Sequence, residues 1–490
     1  MGQQRIMSTI LAQSRLAVAL GLAALLPACS AYDSLMAPAP QLGTPGFVSG
    51  FLGGVVSDEP RATLAGREVL SAGGNAADAA VAVGFTLAVT LPSRAGIGGG
   101  GACLAFAATA KSVNQGTPEA ILFLPSAPNG PGAFASASPG ARSDRPAALP
   151  LMPRGMFLLH SRYGSRPIET FLGAVEEGAR FGIPVSRALA RDLAVVAGPL
   201  SADPAAREVF MRSGGPLAEG QLLTQPELSA TISQMRVNGI GDLYQGGLAR
   251  RVEVASARIG GPLFLTDLRT ALPRVTTPLV LPYRNDMVAF LPPPADGGLA
   301  AAAAFKTLQQ RPGDWTGAEA RAAGTASVWR QGGGASVDQL LAAPVAQDYP
   351  LPPLPASTSF ATLDQNGNAV VCVLTMNNLF GTGRIMPGLG FLAAASPAYV
   401  APPLLSAALA WNDNTKSFRA AVGGTGQAGA PVAAAGAMMN TLVSQQPMST
   451  QVPDPGRANV VACGRYLPRE DASCGWAADP REFGLASGGG

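Results

Sequence analysis

Side chains able to do chemistry are scarce in this 490-residue chain, and histidine is the scarcest: His160 is the only imidazole. A zinc site needing two or three histidines cannot be assembled. A Ser-His-Asp or Cys-His relay would have to run through this one residue. It sits in the apolar stretch Met156–Gly164, where a packed structural histidine is the expected reading, so catalysis is expected to use another base. The glycine run Gly96-Ile-Gly-Gly-Gly-Gly101 formally fits G-x-G-x-x-G at Gly96, Gly98 and Gly101. A dinucleotide fingerprint needs strand, glycines, then helix. Here the patterns run helix, glycines, strand, and no Lys-Ser or Lys-Thr follows, so neither a nucleotide cofactor nor a P-loop is expected. No cofactor and no metal are expected at all.

The five cysteines divide by context. Cys463 and Cys474 lie in a tail carrying Gly464, Pro468 and Gly475, and an exported compartment would permit a disulfide there. Cys103 and Cys372 sit inside apolar, strand-like runs and read as buried thiols. Cys29 ends Leu26-Pro-Ala-Cys29. Before it, Arg5 and Arg15 flank a stretch free of acidic residues, and Leu16–Leu26 is apolar. That run is too short to span a bilayer as a helix, which takes ~20 residues. It fits the h-region of a secretory signal. The motif around Cys29 resembles a bacterial lipoprotein box with Pro27 as an imperfect fit. Residues 1–28 are then a signal peptide, and Cys29 carries lipid that tethers the exported chain to a membrane surface of the cell envelope. Plain secretion is the alternative.

The elements that must position any site follow from composition and punctuation. Hydrophobic residues make up 47% of the chain, enough for a large core, while charged residues are 13%, about half the typical ~25%. The net charge is +3, and the three lysines, Lys111, Lys306 and Lys416, are scattered, so no nucleic-acid footprint is expected. Residues 29–45 read as a tether. Asp58-Glu-Pro60 opens a helix to about Ala72, and Asn75 caps a second over Ala76 to Thr90. Strands are predicted over Ala102–Ala107 and Ala120–Leu124. Ile168, Leu172, Val175 and Ala179 mark an amphipathic helix. Asp286–Leu291 gives a strand, and the turn Pro292-Pro-Pro-Ala-Asp-Gly-Gly298 leads into an alanine helix. Residues 311–356 lose periodicity and, with Pro350-Leu-Pro-Pro-Leu-Pro355, read as an exposed, cleavable loop. Two strands, Ser357–Leu363 and Ala369–Thr375, flank an Asn-Gly turn. Asn377–Gly383 and Gly423-Gly424 read as loops, the second before an alanine-rich helix. Sheets layered with helices follow.

Several of these motifs, in one order from about residue 46 to 487, resemble the gamma-glutamyltranspeptidase family of N-terminal-nucleophile hydrolases. They are Gly73-Gly-Asn-Ala-Ala-Asp-Ala-Ala80 with Gly96–Gly101, Pro292–Gly298, Ser357-Thr-Ser-Phe with Asp364-Gln-Asn-Gly-Asn-Ala-Val370, Thr375-Met-Asn377 and Phe380-Gly-Thr-Gly383. Ala477–Arg481 looks like the family's last strand. The resemblance implies a four-layer αββα sandwich made as one precursor. It would cut itself into a large subunit, residues 46–356 with 311–356 as the processing loop, and a small one, residues 357–490. It also explains the missing histidine. The nucleophile position is Ser357, where the family has threonine, with Thr358 as the nearest rival. A freed α-amino group, of unperturbed pKa about 7.7–8.0, can act as base for its own hydroxyl.

By the same resemblance Thr375 positions the nucleophile, Asn377 contacts the substrate's α-amino side, Gly423 and Gly424 supply oxyanion donors, and Ser406 is one of two substrate-side serines, the other place being Leu405. The departures concern the substrate clamp. Leu124 stands where the family's arginine holds the α-carboxylate, with Pro125 for the following acid. Ser396 and Tyr399 replace the glutamine and aspartate that grip the ammonium. Charge-assisted hydrogen bonds contribute about 1.5–3 kcal/mol each. The expected activity is therefore that of an amide hydrolase or acyltransferase on a small amide or gamma-glutamyl-like substrate lacking free α-groups. A non-catalytic envelope binding protein that kept the fold is the alternative, with a bare autoprocessing scaffold between them.

Overall fold

A computed structural model of the chain describes residues 50–108, 116–128, 144–332, 334–342, 351–449 and 451–489. The signal segment, Cys29 and the tether lie outside the described residues. Among those described, no helix is long and apolar enough to cross a membrane.

The first sheet is made from both ends and the middle of the chain. It contains β1 (Gly53–Ser57), β2 (Gly100–Phe106), β3 (Glu119–Phe123) and β4 (Arg274–Thr276). The later strands β7 (Ser357–Asp364) and β8 (Ala369–Thr375) and the terminal β13 (Leu485–Gly488) complete it in the order β13-β1-β7-β8-β2-β3-β4. The second sheet contains β5 (Leu279–Tyr283), β6 (Asp286–Phe290), β9 (Ser406–Asn412), β10 (Ser417–Thr425), β11 (Arg457–Leu467) and β12 (Cys474–Ala477). Its order is β12-β11-β10-β9-β6-β5. The last strand is thus Leu485–Gly488, paired with β1, and Ala477–Arg481 instead holds the end of β12 and a 3-10 turn.

Successive strand residues point to opposite faces, and β7 shows which faces these are. Phe360 packs into the core under the helices, whereas Ala361 and Leu363 join the core between the two sheets. Helices α1 (Pro60–Ser71), α2 (Ala76–Thr90), α3 (Met152–Tyr163) and α4 (Ile168–Phe181) cover the first sheet. Helices α5 (Asp296–Gln310), α6 (Trp315–Arg330) and α7 (Ala430–Ser444) cover the second. The result is the four-layer αββα sandwich of the N-terminal-nucleophile hydrolases.

Local chemistry explains the helix starts. Glu59 caps α1, its Oε2 accepting from the Ala62 N–H at 2.9 Å. Asn75 and Asp78 form a reciprocal capping box on α2. His160 lies in α3, half-buried, its Nε2 bonded to the Arg166 carbonyl and 3.6 Å from Asp78, as a structural residue would be.

Two expectations are corrected here. Residues 311–356 are not one loop. They contain α6 and a short helix, Val337–Ala342, and the longest described coil in them is Leu351–Ala356. The periodicity was lost because α6 presents Ala318, Ala322, Gly324 and Ala326 to its neighbours, and its Trp315 ring fills the space left by Gly436 of α7. Cys103 and Cys372 are not free thiols but a disulfide. They are register partners on the adjacent antiparallel strands β2 and β8, which brings their Cα atoms to 4.0 Å. The expected pair Cys463–Cys474 is also bonded.

Candidate active site

Ser357 is the first residue of β7, directly after the coil Leu351–Ala356, and it is 2% exposed. Alternation along β7 turns Ser357 and Ser359 toward the second sheet and Thr358 toward the helices. Thr358 is committed elsewhere: its hydroxyl donates to Asp58 Oδ2 at 2.9 Å. Of the two candidate nucleophiles, the one on the inter-sheet face is Ser357.

Ser357 sits opposite Thr375, and Thr375 opposite Gly100. Beyond Gly100, Leu124 continues the row, one residue past Phe123, which partners Gly101. Thr375 Oγ1 accepts from the Asn377 N–H at 2.9 Å. Asn377 takes a left-handed conformation, φ 56°, and its side-chain amide donates to the carbonyls of Pro125 (3.3 Å) and Ala395 (3.0 Å). Asn377 thereby joins the end of β3 to the 393–396 loop. Beside this row opens a cavity of about 350 Å³, lined by Thr375, Asn377, Leu124, Pro125, Pro403 and Leu405, with Arg274 and Asp296 also on its wall.

The other candidates are placed differently from the sequence expectation. Gly423 and Gly424 form no loop: they lie inside β10, paired on both sides, with Ala407 and Ser406 of β9 and with Asn459 and Ala458 of β11. Gly423 is needed for sheet contact, since a Cβ there would lie 2.6 Å from the Ser359 Cβ. The turn after the strand begins at Gly426 (φ 102°) and Gln427 (φ 54°) and runs through Gly429 into α7. That turn lies toward Ser357. Ser359 Oγ bonds the Gly423 carbonyl, while at the other end of β7 Gly367 approaches Leu467, the partner of Phe418 at the start of β10. The two strands therefore run opposite ways, and the Ser357 end faces the Thr425–Gly426 end. Ser406 is directed away from the cavity, toward the α5 layer, where its hydroxyl bonds the carbonyls of Gly297 and Leu404. Leu405 takes the cavity side. Ser396 is buried outside the cavity lining, and Tyr399 is 58% exposed.

A buried polar cluster beside β7 escaped the sequence reading. Asp58 accepts from Thr358, from the Ser359 N–H at 3.1 Å and, through Oδ1, from Asn459 Nδ2 at 2.7 Å. Behind it Arg94 bonds Asp192 at 2.7 Å and Glu482 at 2.8 Å, and Arg191 bonds Glu482 at 2.6 Å. Burial, reinforced by repulsion from Glu482, pushes the Asp58 carboxyl up to about 6 against the pull of Arg94. Burial would also raise Glu482, but Arg94 and Arg191 outweigh it and hold that carboxyl below its ordinary range. Asp58 is visible in the sequence only as a helix-start acid; nothing there singles out Asn459.

Two packed sheets between two helix layers are the fold of the N-terminal-nucleophile hydrolases. More particularly, residues 62–330 match the family model described as Gamma-glutamyltranspeptidase, and the chain belongs to that family. It is 28% identical over 388 residues to the glutathione hydrolase proenzyme of Escherichia coli (strain K12), covering 69% of this chain and 65% of the relative. It is 32% identical over 250 residues to glutathione hydrolase 7 of Homo sapiens, covering 50% of this chain and 36% of the relative. The chain thus spans less than two thirds of the length of these curated relatives. Among solved structures, a cephalosporin acylase from Bacillus halodurans superposes with a TM-score of 0.72 at 19% identity, over 90% of this chain and 96% of that one. A Helicobacter pylori gamma-glutamyltranspeptidase gives 0.52 at 24% identity, over 61% and 94%. At these identities the likeness concerns the fold.

Proposed function

We propose that the chain is a self-cleaving amide hydrolase or acyltransferase whose nucleophile is the Ser357 hydroxyl. The observation that carries this reading is the position of Ser357: a buried hydroxyl at a coil-to-strand junction, opposite Thr375, which itself lines the cavity. In processing, Ser357 Oγ attacks the Ala356 carbonyl carbon, the C–N bond breaks, and the resulting ester is hydrolysed by water. That leaves a carboxylate on Ala356 and a free amine on Ser357. The amine then takes the Oγ proton as Oγ attacks a substrate amide. The proton passes to the departing amine, and water or a second amine releases the acyl group. Thr375 orients the nucleophile from the neighbouring strand. With Gly423 and Gly424 held in the ladder and the Gly429 N–H bonded to the Gly426 carbonyl at 2.9 Å, the backbone N–H groups of Gly426, Gln427 and Ala428 are the donors proposed for the oxyanion, a role worth about 3 kcal/mol.

The acyl site is read from its walls. Leucines and prolines line it, and Leu124 would strip water from an α-carboxylate without replacing it. The proposed substrate is an amide whose acyl group carries no α-zwitterion, acted on by a lipid-anchored envelope protein. The test is a panel of 4-nitroanilides given to wild type and Ser357→Ala. Ser357-dependent release from simple acyl anilides, with gamma-glutamyl anilide and glutathione turned over poorly, is the expected result. A kcat/KM on glutathione of about 10⁴ M⁻¹s⁻¹ or more, in the ordinary enzyme range, would overturn the clamp reading.

A further inference from the structure

The cavity wall holds a cation that the sequence reading did not connect with the site. Arg274 is on β4, opposite Leu122 of β3, and lines the cavity although it lies some 150 residues from Leu124. Its side chain is exposed, and among the described residues it makes no ion pair. The other charged group on that wall, Asp296, is already neutralised: Arg330 holds it with two bonds, at 2.6 and 3.1 Å. The cavity therefore offers one positive charge and no spare negative one.

Resting on the proposed function, we propose that Arg274 binds a carboxylate at the far end of the acyl chain, so that the preferred substrates are monoamides of dicarboxylic acids. The strand order sets the length. From Ser357 the row passes over β8 and β2 to β3, three steps of ~4.8 Å, and Arg274 lies one strand further out and two residues along, opposite Leu122, at about 20 Å between backbones. An acyl chain meeting Arg274 is longer, by about one strand spacing (~5 Å), than one meeting a cation at position 124. That is the difference between a five-carbon and a roughly eight- to ten-carbon diacid. The leucines and prolines between the two ends suit the methylene chain, and a planar guanidinium suits a terminal carboxylate. Because Arg274 is exposed, its contribution is modest and falls with salt.

The experiment compares the mono-4-nitroanilides of glutaric, suberic and sebacic acids with their methyl esters, which have the same length without the charge, on processed wild type and Arg274→Gln. The inference predicts that wild type favours the suberic or sebacic acid over its ester about tenfold in kcat/KM, more than it does for the glutaric pair. In the variant that ratio falls to near one. Equal ratios in the two proteins, or a preference greatest at glutarate, would overturn it. Turnover that persists in Ser357→Ala would sink the proposed nucleophile instead. If no anilide is turned over, titration calorimetry with suberate decides: about tenfold weaker binding to Arg274→Gln supports the inference, and equal or absent binding contradicts it.

Discussion

The floor and the wall of the cavity are built in opposite ways. The floor is Thr375, which lines the cavity, held in a row with Ser357 and Gly100 by antiparallel register on the neighbouring strands. The wall is gathered from the end of β3, from β4, from the turn before α5 and from the coil before β9. A one-residue slip in the floor would turn every hydroxyl away from the second sheet, so its pattern tolerates little change. Each wall residue can be exchanged without shifting a strand register. In the proposed function the chemistry depends on the floor and substrate choice on the wall.

The largest expected effect breaks the floor. Ser357→Ala should leave the chain uncut and lower amide turnover by on the order of 10⁴ or more, as for other covalent nucleophiles. Next comes the disulfide. Cys103 lies before the proposed cut and Cys372 after it, so processed protein should run as one band without reductant and as two with it. Replacing both cysteines with alanine should cost roughly 2–5 kcal/mol in denaturant unfolding of the processed protein and leave two bands under either condition.

The wall is sharpened by adding charge. Leu124→Arg alone should leave gamma-glutamyl turnover low, because the ammonium stays unpaired. Adding Ser396→Gln and Tyr399→Asp should not raise it further, because Ser396 is buried outside the cavity lining and Tyr399 is exposed. A gain of about tenfold or more in the triple variant, as two or three charge-assisted bonds of about 1.5–3 kcal/mol would give, would mean that positions 396 and 399 face the substrate after all.

A smaller effect belongs to Asp58 behind the floor. Its carboxyl titrates near 3.8 when unfolded and at about 6 when folded, so the native state holds the proton more tightly between those values. Its contribution to stability therefore falls as pH rises from about 4 to 6. Urea midpoints of wild type relative to Asp58→Asn should drop across that window, and a flat difference would remove the buried-charge account. Smallest is His160→Gln, expected to leave kcat unchanged and cost about 1 kcal/mol for one lost hydrogen bond.

The same contrast explains what could be read from sequence. The capped helices at Glu59 and Asn75 and the two strands around the Asn-Gly turn were legible because caps and period-two strands leave local patterns, whereas the αββα order and the choice of Ser357 and Thr375 came only through the family resemblance. Leu124, Ser396 and Leu405 were singled out only by the resemblance, and of these the cavity lining includes Leu124 and Leu405. Arg274 was not, because β4 meets β3 only through tertiary pairing. The Cys103–Cys372 bond was hidden for a related reason, since two buried thiols and one disulfide look alike until the β2–β8 register is known. Gly423 and Gly424 read as a loop because glycine usually marks turns, whereas here Gly423 makes room for Ser359 between two sheets.

The most direct test of the account is the intact mass and N-terminal sequence of the purified, reduced wild-type protein. The account predicts two polypeptides, the smaller beginning at Ser357 with a free amine and ending with the chain. A folded protein that remains a single polypeptide, or a small fragment beginning at any other residue, would contradict catalysis by an N-terminal serine.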